Sequence, residues 1–340
     1  MRVTINDVAQ RAGVSKATVS NVFSGKRPIS EEVQKKVLEV AKELHYKPNY
    51  FAKSLVTRET RIIGLCMQGE NVKLSSFHLS LLNGVLKGCY AKGYRVLVNA
   101  LASRFNSKTE FIAADPVDGD ILLDPAEDDK RIKERIEKNI PLILIGKPPK
   151  KYEKMVSYVD NDNVSTAENL TNHLIELGHR EILFLNAPQD KTVSHDREKG
   201  YKLAVLGSNQ TPNLELLKYK PDDMNSIEYG YLYAKKALEE NKNITAIIAD
   251  SGKVVGGIYD AVRELGLTIP DDLSVAVFSD GNTYGFDPSL TEMDLNPSVL
   301  GEEAVKMLIE QINSEKKVLK RVFISSEIKI NGSTGPKKVG

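Results

Sequence analysis

Cysteine and histidine are scarce in this chain of 340 residues, which holds two of the first and five of the second. Two thiols make no disulfide framework, which fits a reducing compartment. Cys66 falls in an expected strand and Cys89 in an expected helix, so both read as buried thiols. The histidines form no triad and no metal-ligand spacing. His78 and His173 fall within expected helices, and His45, His179 and His195 near loops. A glycine-rich dinucleotide fingerprint, a P-loop and a nucleophile elbow are also missing. These absences exclude the common α/β enzyme classes, so no catalytic residue, metal or cofactor is expected. No apolar run is long enough to span a bilayer. Residues 1–20 lack the continuous apolar stretch of a secretory signal, so a cytoplasmic protein is expected.

Net charge is nearly absent too, at a formal +1, but it is segregated. Residues 1–60 hold eleven Lys and Arg against six Asp and Glu, which leaves the other 280 residues mildly acidic. A basic head on an acidic body is the footprint of a nucleic-acid-binding arm on a sensor. Within the head, Ile5, Val8, Ala9 and Ala12 share one helical stripe behind Thr4 as N-cap. Gly13 ends that helix, because a left-handed C-cap costs glycine nothing. Ser15 then caps a second helix with Val19, Val22 and Phe23 inward and Lys16, Ala17, Thr18, Ser20 and Asn21 outward. Two short helices joined so tightly predict a helix-turn-helix with its second helix offered to the DNA major groove. Ser30 caps a third helix, with Glu31 and Glu32 at its positive end and Val33, Val37, Val40, Ala41 and Leu44 inward.

From residue 62 the pattern becomes an alternation of short apolar runs and helices. Strands are expected at 62–67, 94–100, 119–124 and 141–146, with helices at 79–91, 108–114 and 130–138. A second alternation follows, with strands at 156–160, 181–186, 216–220, 245–249 and 274–279 and helices at 165–178, 197–206, 226–240 and 254–266. A strand at 291–295, a helix at 299–313 and one last strand at 321–330 complete it. Such alternation predicts parallel sheets covered on both faces. Two similar units predict two lobes enclosing a ligand beyond the carboxyl ends of their strands.

The array Val3-Thr4-Ile5-x-Asp7-Val8-Ala9, Ala12-Gly13-Val14-Ser15-x-Ala17-Thr18-Val19-Ser20 and Tyr46-Lys47-Pro48-Asn49 with Ala52-x-Ser54-Leu55 resembles the lactose-repressor (LacI/GalR) family of bacterial transcription regulators. The body is similar to the same family's sensor domain at Leu177-Gly178-His179-Arg180, Arg197-x-x-Gly200-Tyr201, Leu265–Val275 and Pro288-Ser289-Leu290-Thr291. The resemblance implies an all-α helix-turn-helix DNA-binding domain at 1–48, a hinge helix at 49–60, and an α/β two-lobed, periplasmic-binding-protein-like sensor domain at 61–340. Three crossings between lobes would give lobe 1 about 61–155 and 291–319, and lobe 2 about 156–290 and 320–340. It also implies DNA contacts from Thr4, Ser15, Lys16, Ala17, Thr18, Ser20 and Asn21, and from Asn49, Ala52 and Leu55 in the hinge, with Leu55 as a minor-groove wedge. Where the family usually has arginine, this chain has Asn21, a side chain suited to adenine N6 and N7 or to a phosphate.

Polar residues at strand ends are the ligand candidates. Asp124, Lys147, Asn161, Asp250 and Asp280 each end or follow a strand, and Asp160 and Asp162 flank Asn161. Carboxylates and amides there can pair with sugar hydroxyls, or can equally be helix caps and solvated loop residues. Arg197 offers a fixed fork of donors, and Phe77 an apolar face for a sugar ring. By resemblance Arg197 and Asp250 occupy ligand-contacting positions. Departures lie in the pocket itself: Ser75-Ser76-Phe77-His78 replaces the family's Asn-Pro-Phe-Phe, Asp250-Ser251 its Asn-Asp, and Gly146-Lys147 its Asp-Arg. The expected function is therefore a repressor binding a near-palindromic operator as a homodimer, with a sugar-like effector between the lobes. The tail 336–340 adds no leucine heptad, so a dimer rather than a tetramer is expected. Induction and corepression remain equal alternatives.

Overall fold

The computed structural model describes residues 3–25, 27–47, 54, 59–67, 74–99, 116–279 and 285–338. The expected helix at 108–114 and the expected contacts Asn49, Ala52, Leu55 and Asp280 lie outside the described residues. The chain divides into two compact units, Met1–Thr60 and Arg61–Gly340.

In the first unit, α1 (Ile5–Ala12), α2 (Lys16–Ser24) and α3 (Glu31–Glu43) surround a small core of Val8, Ala9, Ala12, Val19, Val37 and Ala41. Each boundary has a local cause. The Thr4 N–H and hydroxyl both donate to the Asp7 carboxylate at 2.8 Å, tying the chain into the first turn of α1. Gly13 takes a left-handed φ of 67° and stops it. The Ser15 hydroxyl accepts the Thr18 N–H at 3.0 Å and starts α2. Ser30 stands at the N-cap of α3, but its side chain makes no capping bond.

The second unit contains two six-stranded sheets. The first is built from β1 (Ile62–Cys66), β2 (Arg95–Asn99), β3 (Gly119–Leu123), β4 (Leu142–Ile145), β5 (Ser157–Asn161) and β11 (Arg321–Ile324), in the order β2-β1-β3-β4-β5-β11, all parallel. The second holds β6 (Glu181–Asn186), β7 (Leu217–Tyr219), β8 (Ile244–Ala249), β9 (Ser274–Ser279), β10 (Thr291–Asp294) and β12 (Glu327–Lys329), in the order β7-β6-β8-β9-β10-β12. Only the β10–β12 pair in it is antiparallel. Alternate residues along one strand feed opposite cores, as parallel sheets buried on both faces require. Ile121 and Leu123 point to one side of the first sheet, and Leu122 to the other. In the second, Leu183 and Leu185 oppose Ile182 and Phe184.

Helices cover these faces in pairs. On the first sheet, α4 (Ser76–Ala91) packs with α10 (Pro297–Asn313), while α5 (Lys130–Glu137) covers the opposite face. On the second, α6 (Asn163–Glu176) pairs with α7 (Thr192–Gly207), and α8 (Ser226–Glu240) with α9 (Gly252–Glu264). Both cysteines are buried free thiols, and burial pushes Cys66 up to about 12 and Cys89 up to about 11, far from reactive thiolate.

Two lobe assignments are corrected by one strand each. The strand at 157–161, expected on lobe 2, completes the first sheet, and the strand at 291–294, expected on lobe 1, belongs to the second. The single last strand at 321–330 is two strands, one in each sheet. The reason is common to all three. The chain leaves a sheet only where a strand ends, so each crossing follows its strand, after Asn161, Asp294 and Ile324. A hydrophobic run carries no mark of which sheet its hydrogen bonds join. His195, expected near a loop, lies within α7.

Close packing in the first lobe depends on two facing glycines. A Cβ on Gly84 would lie 1.9 Å from the Ser298 carbonyl oxygen, and one on Gly301 2.4 Å from that of Leu81. The obstacle is backbone in both cases, so neither side can yield by rotating a side chain. Gly84→Ala is expected to destabilise the sensor unit by about 1–3 kcal/mol. Urea unfolding checks this, and an unchanged midpoint refutes the close approach.

Candidate functional site

Strand ends from both sheets converge on one cavity of about 290 Å³ in the second unit. Asp124 follows β3 at a left-handed φ of 51°, Asp160 and Asn161 end β5, Asp250 follows β8 and Ser279 ends β9. The first turns of three helices complete the wall: Ser76–His78 of α4, Thr192 and Val193 of α7, and Gly252 and Lys253 of α9. Phe77 packs against the hydrophobic clusters of both lobes and so bridges them. Main-chain contacts also join the lobes beside the cavity. The Glu127 N–H donates to the Asp190 carbonyl at 3.2 Å, and the Thr192 hydroxyl to that of Pro125 at 3.3 Å.

Arg197 is the most deeply buried of the ionisable side chains lining the cavity, at 5% exposure. Its Nη1 donates to Asp250 Oδ1 at 2.6 Å, its guanidinium carbon lies 4.0 Å from the centroid of Phe278, and its Nε has no acceptor among the described residues. Burial pushes the guanidinium below its ordinary value and the Asp250 carboxyl above its own, and each is held back by the other's charge. A guanidinium stays protonated in proteins, so Arg197 keeps its charge at neutral pH. Such a pair flanked by aromatic surface can donate to and accept from adjacent hydroxyls.

A second pair spans α4 and the end of β3. His78 Nε2 lies 3.1 Å from Asp124 Oδ2. Burial works against the imidazolium, but the hydrogen bond and charge of Asp124 outweigh it and raise the His78 pKa. Burial would likewise raise Asp124, yet His78, Lys191 and Arg131 hold it below its ordinary value. His78 Nδ1 contacts the Ser75 hydroxyl at 2.7 Å, which fixes the ring at the start of α4.

Of the expected ligand residues, the structure brings Phe77, Asp124, Asn161, Arg197 and Asp250 together around the cavity. Lys147 is the exception and does not line it. The left-handed turn at Gly146 sends the chain away, the Lys147 N–H is held by Asp160 at 2.9 Å, and its ammonium pairs with Asp196 at 3.1 Å. Asp162 is a helix cap, accepting the Ser165 N–H at 3.1 Å. His78, Lys191 and Lys253 line the cavity without having been candidates. Their signal was the helix start. The expected helices began at 79, 197 and 254, whereas the observed ones begin at Ser76, Thr192 and Gly252, and the missed turns face the ligand space.

On the first unit, Lys16, Ala17 and Ser20 are exposed on α2, and Thr18 and Asn21 are half-buried. Ser15 and Thr18 hydroxyls lie 2.9 Å apart, each still able to meet a further partner. These side chains form one short polar face with a single cation.

Two family models match the chain, "Bacterial regulatory proteins, lacI family" over residues 4–49 and "Periplasmic binding protein-like domain" over 171–334. The HTH-type transcriptional regulator MalR of Staphylococcus xylosus is 31% identical over 317 residues, covering 91% of each chain. A solved complex of the transcriptional regulator CelR with cellobiose is 26% identical, with a TM-score of 0.75 over 98% of this chain and 100% of that one. The lac repressor dimer bound to operator and an anti-inducer has a TM-score of 0.84 at 22% identity, covering 98% of this chain and 100% of that one, a likeness of fold.

Burial pushes the Asp160 carboxyl up to about 7, even though the N–H groups of Asn161 and Lys147 and the Asn163 amide donate to it, and nearby Asp196 adds to the rise. A carboxyl whose folded pKa exceeds its unfolded one stabilises the fold fully at low pH and loses that contribution as pH rises to the folded value. Wild-type stability is therefore expected to fall more steeply between about pH 4 and about pH 7 than that of Asp160→Asn. Parallel urea titrations across that range measure it, and equal slopes would refute the buried, protonated carboxyl.

Proposed function

Because the chain belongs to the LacI family of bacterial regulatory proteins, we propose that it is an operator-binding repressor whose DNA affinity is set by a sugar-like effector in the cavity between its lobes. It is a transcriptional regulator, as its relatives are, and not an enzyme. In this reading residues 1–48 read DNA, 49–60 form the hinge and 61–340 hold the effector and the dimer contacts. A homodimer places two reading units on two half-sites, so the operator is near-palindromic. Binding to operator DNA sets the cytoplasm as the place of action.

The observation that carries this reading is the buried Arg197–Asp250 pair beside Phe278 within a cavity of sugar-sized volume. Paired donors and acceptors next to an aromatic face are what a polyhydroxylated ring needs, and the relative CelR is described in complex with cellobiose. Phe77, Asp124 and Asn161 complete the effector contacts. On DNA, Lys16, Ala17 and Asn21 meet base edges, while Thr4, Ser15, Thr18 and Ser20 hold phosphates. Asn49, Ala52 and Leu55 add minor-groove contacts.

Effector and operator sites are then linked only by a coupling free energy. Arg197→Ala is expected to raise the effector concentration needed for a response about 10–100-fold, the cost of losing charged hydrogen bonds. Ligand-free operator binding stays at the wild-type level. Electrophoretic mobility shifts with and without a sugar found by thermal-shift screening measure both. A well-folded Arg197→Ala protein that no longer binds operator contradicts the assignment.

Asn21 tests the reading helix. Its carboxamide matches adenine N6 and N7, so an A·T pair is expected where an arginine would select guanine. In binding-site selection, Asn21→Arg should shift one symmetric position per half-site towards guanine, by ~1–3 kcal/mol of discrimination. If no position shifts, Asn21 contacts the backbone instead.

A further inference from the structure

Among the described residues the charges around the cavity are not evenly matched, and the mismatch bears on what the effector carries. Each carboxylate in the wall already has a partner within the protein. Asp124 is bonded to His78 at 3.1 Å and Asp250 to Arg197 at 2.6 Å, and Asp160 accepts two backbone N–H groups and the Asn163 amide. The cationic side has capacity to spare. Arg197 Nε, in a side chain 5% exposed, has no acceptor among the described residues. The Lys253 ammonium, which lines the cavity, has as its acceptor among the described residues the Leu74 carbonyl, at 3.4 Å. Lys253 stands close enough to His78 to oppose its protonation, and both side chains line the cavity.

Backbone adds to the same sign. Helices α4, α7 and α9 all open onto the cavity, so the positive ends of three macrodipoles converge there. The N-cap residues of α7 and α9, Lys191 and Ser251, make no side-chain capping bond, so their first-turn N–H groups have no side-chain acceptor from the cap. An uncapped helix start that carries a lysine, as α9 does with Lys253, is an anion-binding arrangement. A neutral sugar would satisfy Arg197 and Asp250 but bring no counter-charge to that corner.

We propose that the effector is an anionic sugar, bearing a carboxylate or a phosphate, whose charged group sits against Lys253, His78 and the first turn of α9 while its hydroxyls face Arg197 and Asp250. This rests on the effector reading above and narrows it. Lys253 is then a specificity-determining residue, because an ammonium in that corner favours the charged form of a sugar over its neutral parent.

Thermal unfolding of the full chain with matched sugars tests it, at constant ionic strength in a buffer without phosphate. Glucose is compared with glucuronate and glucose 6-phosphate, galactose with galacturonate and galactose 6-phosphate, and cellobiose with cellobionate. The expected result is that a charged member reaches half-saturation at a concentration at least about tenfold below its neutral parent, with the carboxylate and phosphate arms telling the two sources apart. In Lys253→Met that ratio should collapse towards one, with the folded baseline melting temperature reporting that the variant is intact. A neutral sugar that binds as tightly as its charged derivatives overturns the anionic effector and leaves the sugar-responsive regulator standing. A preference that survives Lys253→Met overturns the role of Lys253. Failure of every sugar in the set overturns both readings together.

Discussion

One carboxamide ties together the three places where the chain passes between lobes. Asn161 Nδ2 donates to the carbonyls of Leu295 and Ile324, both at 3.0 Å, and these are the residues at the second and third crossings. Asn161 itself ends β5 at the first. Neighbouring bonds reinforce it: Asn296 Nδ2 donates to the Ser325 carbonyl at 3.1 Å, and the Thr166 and Ser326 hydroxyls meet at 3.2 Å. Buried amides are costly unless bonded, so this cluster holds the crossings at one separation. Because all three lie at strand carboxyl ends, the two sheets must present those ends to each other. The cavity is a consequence of that constraint.

Asn161 also lines the cavity it organises. Asp160, one residue earlier, accepts the Lys147 N–H from β4's end and the Asn163 amide from α6, so the cavity wall and the crossings share one hydrogen-bond network. A ligand that changes a bond in this network acts on the segments that set the angle between lobes. Differential binding to two such arrangements is the physical form that allosteric coupling takes.

Much of the architecture was legible beforehand because it is written in local chemistry. Glu181–Asn186, Ser226–Glu240 and Ser274–Ser279 have the bounds their apolar runs and caps predict. The turn at Gly13 and the cap at Ser15 also sit where the residue types require. Helix starts on the cavity side were placed too late at Ser76, Thr192 and Gly252. Apart from Phe77 and Val193, the missed residues are polar or small and carry little of the apolar stripe that marks a helix from sequence. Residues that face a ligand are, for that reason, the ones that periodicity overlooks.

The sequence by itself determined the class of fold, the basic head and the alternation into parallel sheets, which follow from residue type and spacing along a few turns of chain. Arg197 and Asp250 stood out among the strand-end and helix-start candidates through the family resemblance. Tertiary structure alone decided which sheet received β5, β10 and the two halves of the last strand, since backbone hydrogen bonds do not depend on side-chain identity. It alone turned Lys147 away from the cavity, through a left-handed Gly146 and a distant Asp196. It also set Lys253 and His78, 175 residues apart in the chain, in the lining of one cavity. Charges so far separated in sequence have no local pattern to read, and only the packing of two lobes brings their fields together.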